Sequence, residues 1–303
     1  MKKNIITIFI SIFIIVLIIE FLLSTFYKKR LFKFDQSMGW DLKKNIKAKR
    51  YSSEKKYEIF TDKYSLRSNI EKNILKDPCD FNYVFIGDSF VFGVGVDLEN
   101  RFDILLKNEK GIKSINFGVP GYSILQSYMK QKHHINYYNC TKPKKLIILI
   151  YKNDLRDAQT THTAFRQRPL IINQKIKFPD TLSDIINGNF RDLSYGYFFL
   201  ISTIQNYSNQ KISYEKDNIS ALINEINYVL EDTIHHDLFI VIHGMEENNS
   251  NKILKNNVCN KITCSDLKIS QKSDSDLYIK KDSHWNENGH EYLSKYLFEN
   301  VLN

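Results

Sequence analysis

The chain has 303 residues, a formal net charge of +9 at pH 7 and a hydrophobic content of 43%. This length suits one globular domain with an appendage, and the hydrophobic residues suffice for a core. The lysines are scattered among Asp, Glu and Asn without a long basic run or a zinc-finger pattern, so the charge indicates a solvated basic surface and argues against a nucleic-acid partner.

The first predicted element is an apolar segment, NIITIFISIFIIVLIIEFLLSTFY (residues 4–27). Its stretch of about 22 apolar residues would measure roughly 33 Å as a helix, enough to cross a bilayer. A cleaved signal peptide is the alternative, but it would have a shorter apolar region and an A-x-A-like cleavage site. We therefore predict a retained transmembrane anchor within residues 1–30. The basic residues that follow it favour a cytoplasmic domain, although large domains translocate against that bias.

Residues 31–78 are predicted to be a polar linker with one alternating stretch, residues 57–68, which favours a hairpin or an edge strand. From residue 79 strands and helices alternate. The apolar runs predict strands at 81–87, 112–118, 144–154 and 237–244, and helical spacing predicts helices at 99–111, 123–135, 219–234 and after Asn286. An irregular, polar insertion is predicted at about 155–215. The pattern indicates an α/β fold over residues 79–303, with a parallel sheet covered by helices on both faces.

In such sheets ligands bind at the carboxyl ends of the strands, where this sequence has GDS, NFGVPG and YKND. Acyl transfer by a serine needs an exposed hydroxyl, a histidine base, a carboxylate and oxyanion donors. Ser89 follows the first strand, and Asp282 and His284 lie in DSHWN before the last helix. Gly118 and Asn153 lie at the ends of the second and third predicted strands and offer oxyanion donors, together with the amide of Ser89.

Each motif alone also has a structural interpretation. GDS suits a helix cap, Gly118 suits a turn, and the Asn-Asp pair suits a second cap. His133, His134 and His243 are interpreted as structural. No cysteine spacing suits a zinc site, and Cys79, Cys140, Cys259 and Cys264 are either buried free thiols or disulfides, which the sequence leaves open.

The four motifs in this order resemble the SGNH (GDSL-like) hydrolase family, in particular its membrane-anchored bacterial branch. The named residues of that family would be Ser89, Gly118, Asn153 and His284. The resemblance implies a three-layer α/β/α sandwich with a flavodoxin-like sheet. It also implies that Ser89 is the nucleophile, His284 the base and Asp282 its orienting partner, with an oxyanion hole from Ser89, Gly118 and Asn153. It implies no metal and no organic cofactor.

Two positions depart from the family pattern. Tyr151 stands where the third motif usually has glycine, which predicts a narrower pocket floor. The last motif is D-x-H where the family usually has D-x-x-H, and Lys281 occupies the place of the usual acid. The shorter spacing looks like that of polysaccharide O-acetyl-modifying relatives, which act in the periplasm.

The sequence therefore predicts an anchored, extracytoplasmic serine esterase or O-acyltransferase, with O-acetyl as the expected acyl group. Its substrate would be an acylated cell-envelope glycan or another ester. The alternative is a non-catalytic envelope protein that uses the same fold to bind a glycan or a partner. Arg166 and Arg168 of the insertion are interpreted as belonging to a solvated loop. The oligomeric state is not predicted.

Overall fold

The structure is a computed structural model. It describes residues 2–26, 30–68, 77–141, 143–160, 162–163, 166–178, 182–198, 200, 203, 219–232, 237–245, 249–269 and 274–302. Helix α1 (Lys2–Phe26) contains one segment, Ile6–Thr25, that is long and apolar enough to cross a membrane, a test that a signal sequence would also pass.

The remaining helices, in chain order, are α2 (Ser89–Phe92), α3 (Phe102–Lys110), α4 (Ile124–Tyr138), α5 (Asp154–Asp157), α6 (Leu182–Leu193), α7 (Ser220–Asp232), α8 (Asn249–Leu254) and α9 (Glu287–Leu297). The strands are β1 (Phe32–Asp35), β2 (Gly39–Leu42), β3 (Lys47–Tyr51), β4 (Lys56–Phe60), β5 (Tyr83–Ile86), β6 (Ser114–Asn116), β7 (Lys145–Tyr151), β8 (His162–Thr163), β9 (Arg166–Gln167), β10 (Leu170–Ile172), β11 (Lys175–Lys177), β12 (Asp237–His243) and β13 (Thr263–Leu267).

The central sheet has five parallel strands in the order β13-β12-β7-β5-β6. Numbered by sequence among themselves, these strands run 5-4-3-1-2, which is the flavodoxin-like order. Apolar side chains of α4, α7 and α8 pack on one face of the sheet, and those of α3 and α9 pack on the other. The predicted α/β sandwich with a parallel sheet is thereby confirmed.

The sequence predicted four of the five strands and missed β13. Strand β13 reads TCSDL and lies at the edge of the sheet, where its first four residues are at least partly exposed. An edge strand needs no apolar run, because only part of its surface is buried. A disulfide joins Cys264 in this strand to Cys259, and a second one joins Cys79 to Cys140. The cysteines are therefore bridged.

The segment predicted as a linker and hairpin carries two antiparallel pairs, β1–β2 and β3–β4. The predicted alternating stretch contributes β4, whose partner β3 the sequence did not indicate. Side chains of this segment form a buried cluster with Phe92, Val119 and Tyr122 of the α/β body. The buried guanidinium of Arg67 donates to the backbone oxygens of Phe92 (3.0 Å) and Val96 (2.5 Å). The segment thus braces the loop that follows Ser89.

The insertion after β7 is more regular than its polar sequence indicated. It contains the short antiparallel pairs β8–β9 and β10–β11 and the helix α6. Helix α6 packs against β1, where the ring of Phe34 lies over Gly188. Residues 204–215 of the predicted insertion lie outside the described residues.

Candidate active site

Ser89 is the first residue of α2, directly beyond the carboxyl end of β5. The carboxylate of Asp88 caps this short helix by accepting from the backbone N–H of Phe90 (2.9 Å). A Cβ at Gly87 would lie 2.5 Å from a methyl carbon of Val91, so the tight turn requires glycine. The strand, turn and helix therefore hold a partly exposed serine hydroxyl at the edge where this sheet type binds ligands.

His284 and Asp282 reach this hydroxyl from the far end of the sequence. The Oγ of Ser89 lies 2.8 Å from His284 Nε2, and His284 Nδ1 lies 2.6 Å from Asp282 Oδ1. The same carboxylate oxygen accepts from the backbone N–H of His284 at 3.1 Å. The hydrogen bond to His284 lowers the pKa of the Asp282 carboxyl to about 2, so this group is ionised at neutral pH. The three side chains form a continuous hydroxyl–imidazole–carboxylate chain.

The short D-x-H spacing is sufficient to bring the carboxylate of Asp282 to Nδ1 of His284. Lys281 adopts a left-handed conformation (φ 60°) directly before Asp282, and the N–H of Asp282 donates to the carbonyl of Ile279 (3.0 Å). Lys281 itself is exposed. The turn carries the carboxylate of Asp282 to the imidazole nitrogen that faces away from Ser89.

Asn153 and Gly118 lie at the same edge of the sheet. The amide nitrogen of Asn153 donates to Asp88 Oδ2 (2.7 Å) and to Asp157 Oδ2 (3.0 Å). The backbone N–H of Gly118 donates to the side chain of Asn116 (3.0 Å), and a Cβ at Gly118 would lie 2.5 Å from the backbone nitrogen of Phe92 in α2. Both predicted oxyanion donors are thus beside the serine turn, and both have acceptors within the protein.

The four motifs therefore converge at one end of a sheet of flavodoxin-like order. In fold and motif order the chain is similar to the SGNH hydrolases. No family model matches the chain, and no curated protein matches it. Among the described residues, no group of three or more His, Cys, Asp or Glu side chains is arranged to hold a metal ion.

Two solved structures are similar to the chain at low sequence identity. One is assigned to a lipolytic protein of the G-D-S-L family from Desulfitobacterium hafniense DCB-2, with 14% identity, coverage of 70% of this chain and 97% of that chain, and a TM-score of 0.40. The other is a family 3 carbohydrate esterase from Clostridium thermocellum, with 14% identity, coverage of 73% and 96%, and a TM-score of 0.41.

Tyr151 occupies the position at which the SGNH hydrolases usually have glycine, and its side chain is buried under the site. Its ring lies 4.0 Å from that of Phe90 and 5.0 Å from that of His243, measured between centroids. A Cβ at Gly244 would approach the ring of Tyr151 to 2.5 Å, so the larger residue at 151 is matched by a glycine on the neighbouring strand end. Burial lowers the pKa of His243 to about 4, which keeps this imidazole neutral, and its Nε2 lies 2.9 Å from the hydroxyl of Tyr278.

A buried polar network behind Asn153 was missed by the sequence analysis. Asp157 accepts from Asn153 and also pairs with Arg168, whose Nη2 lies 3.4 Å from Asp157 Oδ1 and whose Nη1 donates to the Asp157 carbonyl (2.5 Å). Arg168 also donates to the carbonyl of Gly121 (3.1 Å), in the loop after β6. The interpretation of Arg168 as part of a solvated loop is wrong, because its side chain is fully buried. The side chain of Arg166 lies outside the described residues.

Two further carboxylates complete this buried region. Burial raises the pKa of Asp88, and hydrogen bonds from Asn153 and Phe90 oppose that rise. Burial also raises the pKa of Asp154 well above its ordinary value, and this carboxyl accepts from the backbone N–H of Tyr151 (2.8 Å). The sequence signal for the network was the run NDLRD, in which residues 153 and 157 are one helical turn apart.

Proposed function

We propose that the protein is a serine esterase or O-acyltransferase that acts through an acyl-enzyme on Ser89. The observation that carries this proposal is the unbroken chain from Ser89 Oγ to His284 and Asp282, with distances of 2.8 and 2.6 Å. A neutral serine is a weak nucleophile, and an adjacent base with an oriented ring is the usual means of activating it.

In the proposed reaction Ser89 Oγ attacks the carbonyl carbon of the ester, and its proton passes to His284 Nε2. Asp282 orients the imidazole and stabilises the imidazolium. The tetrahedral intermediate collapses as the leaving alcohol takes the proton from His284, which leaves an acyl group on Ser89. Water or a second alcohol then attacks the acyl carbon with His284 as base, so that hydrolysis releases a carboxylic acid and transfer forms a new ester.

The oxyanion of this intermediate would be stabilised by Ser89, Gly118 and Asn153. Gly118 and Asn153 donate to side chains of the protein in this structure, so a bound substrate oxygen would have to replace Asn116 and one of Asp88 and Asp157 as acceptors. Catalytic hydrogen bonds of this kind commonly form only in the complex with substrate.

We further propose that the substrate is an acylated glycan of the cell envelope and that the domain lies outside the cytoplasm. Two features support this location. Helix α1 is long enough to span a membrane, and two disulfides are formed, which persist in oxidising compartments. As evidence for the side of the membrane, we give the disulfides more weight than the excess of basic residues after α1, because large domains translocate largely regardless of charge.

The test is ester cleavage by the full-length protein in detergent, with 4-nitrophenyl acetate and a panel of acetylated glycans. We expect Ser89→Ala to lower kcat/KM by at least about 1,000-fold, because the nucleophile is lost. Ser37→Ala, at an exposed serine, is the matched control and should retain full activity. Release of acetate without added glycan indicates hydrolysis. Transfer of the acetyl group to an added glycan, seen as an increase in the mass of the glycan, indicates an acyltransferase. Activity that survives Ser89→Ala rejects the nucleophile, and a folded but inactive wild-type protein favours the non-catalytic binding function.

A further inference from the structure

Helix α6 carries an exposed apolar stripe. Ile186, Phe190 and Leu193 fall within an arc of about 60° on the helix, at 100° per residue. Phe190 is 55% exposed and Leu193 is 79% exposed. Leu200, beyond the end of α6, is also largely exposed. Such a cluster of large apolar side chains on the surface of a folded domain marks a contact with another molecule or with lipid.

The other side of α6 is attached to the protein. Gly188 lies under the ring of Phe34, and the carboxylate of Asp192 accepts from the backbone N–H of Phe34. The carbonyl of Arg191 accepts from the guanidinium of Arg30. The apolar stripe is therefore the exposed face of a helix whose opposite face is fixed to the segment directly after α1. Of the described residues, Tyr197 contacts this face, with its ring centroid 6.0 Å from that of Phe190.

The chain after α6 contacts the candidate membrane span itself. The carboxylate of Glu20 accepts from the backbone N–H groups of Tyr195 (2.5 Å) and Gly196 (2.9 Å) and from the hydroxyl of Ser194 (3.0 Å). A carboxylate within an apolar span is costly unless it is paired, and these three donors supply its partners.

The position of Glu20 gives the depth of this contact. Glu20 lies five residues before the end of the segment Ile6–Thr25, which is about 8 Å along a helix. Amphipathic helices that lie in the interface bury their apolar face by about 5–10 Å. Residues 194–196 are thus held at the depth of an interfacial helix whenever α1 crosses a bilayer.

The composition of this region is that of a membrane interface. Residues 194–200 read SYGYFFL. The guanidinium of Arg30 lies 3.9 Å from the centroid of the Tyr195 ring and donates to the carbonyl of Ser194 (3.3 Å). Aromatic rings and basic side chains concentrate at the headgroup level of bilayers.

From these contacts we propose that the lipid bilayer covers the apolar stripe of α6, so that the insertion forms a second membrane attachment beside α1. The inference rests on the proposed anchorage of α1. Lipid is favoured over a protein partner because the residues that directly follow the stripe, Ser194–Gly196, contact Glu20 of the span. With both attachments in place, the catalytic domain cannot rotate freely about the short connection after α1.

The test is quenching of tryptophan fluorescence by brominated lipids, with the full chain in lipid vesicles. Leu193→Trp places a probe on the stripe, Phe13→Trp places one in α1, and Tyr292→Trp places one on α9 as the matched control. The native Trp40 and Trp285 are both 1% exposed and give a common background. We expect Leu193→Trp to lose emission as Phe13→Trp does, and Tyr292→Trp to behave as the wild type does. Phe190→Trp repeats the measurement one turn away.

Quenching of Phe13→Trp without quenching of Leu193→Trp or Phe190→Trp would overturn the proposal and leave the anchor in place. If no variant is quenched, both the anchor and the proposal fail. Emission from Leu193→Trp that changes with protein concentration, without lipid quenching, assigns the stripe to a second copy and also overturns the proposal. Esterase activity on the same samples tests the proposed function separately.

Discussion

At the scale of single residues, the central contact joins two side chains 195 positions apart, Ser89 and His284. The sequence allowed this pairing to be predicted because each residue lies next to a recognisable boundary: Ser89 follows the end of a strand, and His284 precedes the last helix. The sequence also indicated Asp282, but it did not show how a residue only two positions before His284 brings its carboxylate to the imidazole ring. That depends on the left-handed conformation of Lys281, which has no sequence signal of its own.

The acceptors that Asn153 and Gly118 have in this structure could not be predicted from the motifs. They depend on Asp157, which α5 places one turn after Asn153, and on Asn116, which lies in β6 and binds the carbonyl of Val91 as well (2.8 Å). The one-turn spacing of Asn153 and Asp157 is visible in the sequence, but it does not show that the two side chains meet in the interior, and Asn116 looks like an ordinary strand-end residue. Their roles follow only from the tertiary packing around α2.

The first prediction concerns Asp282. In Asp282→Asn the side chain no longer accepts the Nδ1–H of His284 as a charged partner, so the imidazole loses the tautomer and orientation that the proposed reaction requires. We expect kcat to fall by a factor on the order of 100 to 10,000, with little change in KM. Steady-state kinetics with an aryl ester measures the effect.

Asp276→Asn is the control for this variant, because Asp276 is an exposed aspartate of the same loop. It should leave kcat unchanged. Equal kinetics in Asp282→Asn and the wild type would contradict the assignment of Asp282 and leave the base without an identified partner.

At the scale of elements, the insertion is the part that sequence patterns described least well. Its strands have two or three residues, too short to show periodicity. Arg168 looked like a solvated loop residue because arginine usually is one. Its burial is due to Asp157, which supplies the opposite charge, and to Gly121, which supplies a carbonyl acceptor. The insertion is thereby tied to the turn that carries Asn153.

The second prediction compares the two arginines that pair with Asp157. Arg168 is fully buried, whereas the side chain of Arg156 is 46% exposed. Arg168→Met removes the buried charge partner of Asp157 and leaves it only the half-exposed Arg156, so we expect the free energy of unfolding to fall by about 3–5 kcal/mol. Arg156→Met removes a half-exposed arginine and leaves the buried Arg168 beside the carboxylate, so it should cost about 1 kcal/mol or less.

Urea denaturation measures both values through the transition midpoint. Because Asp157 also accepts from Asn153, we expect Arg168→Met to lower kcat more than Arg156→Met does. Equal midpoints for the two variants would show that burial of Arg168 contributes nothing to stability.

At the scale of the whole molecule, the alternation of strands and helices was enough to predict the architecture. Strands β5, β7 and β12 could be predicted from continuous apolar runs, which are typical of a sheet covered on both faces, and β6 from its place between two predicted helices. The N-terminal pairs β1–β2 and β3–β4 were harder to predict, since each strand has only four or five residues and shares its core with the α/β body. The polar, lysine-rich composition of residues 31–78 made this segment resemble a linker.

The third prediction concerns the disulfides. The bridge between Cys79 and Cys140 closes a sequence separation of 61, and that between Cys259 and Cys264 closes one of 5. In the loop-entropy model these bridges stabilise the fold by roughly 4 and 2 kcal/mol respectively. Replacing the first pair of cysteines with serine should therefore reduce the urea midpoint more than replacing the second pair. A larger loss from the second pair would contradict the model for this protein.

The most direct test of Ser89 as an activated nucleophile is covalent labelling of the full-length protein with a fluorophosphonate, followed by peptide mapping. We predict a single adduct on the hydroxyl of Ser89, and much slower labelling of His284→Ala because the serine is no longer activated. A folded wild-type protein that takes no label at Ser89, or that is labelled equally fast without His284, would contradict this prediction.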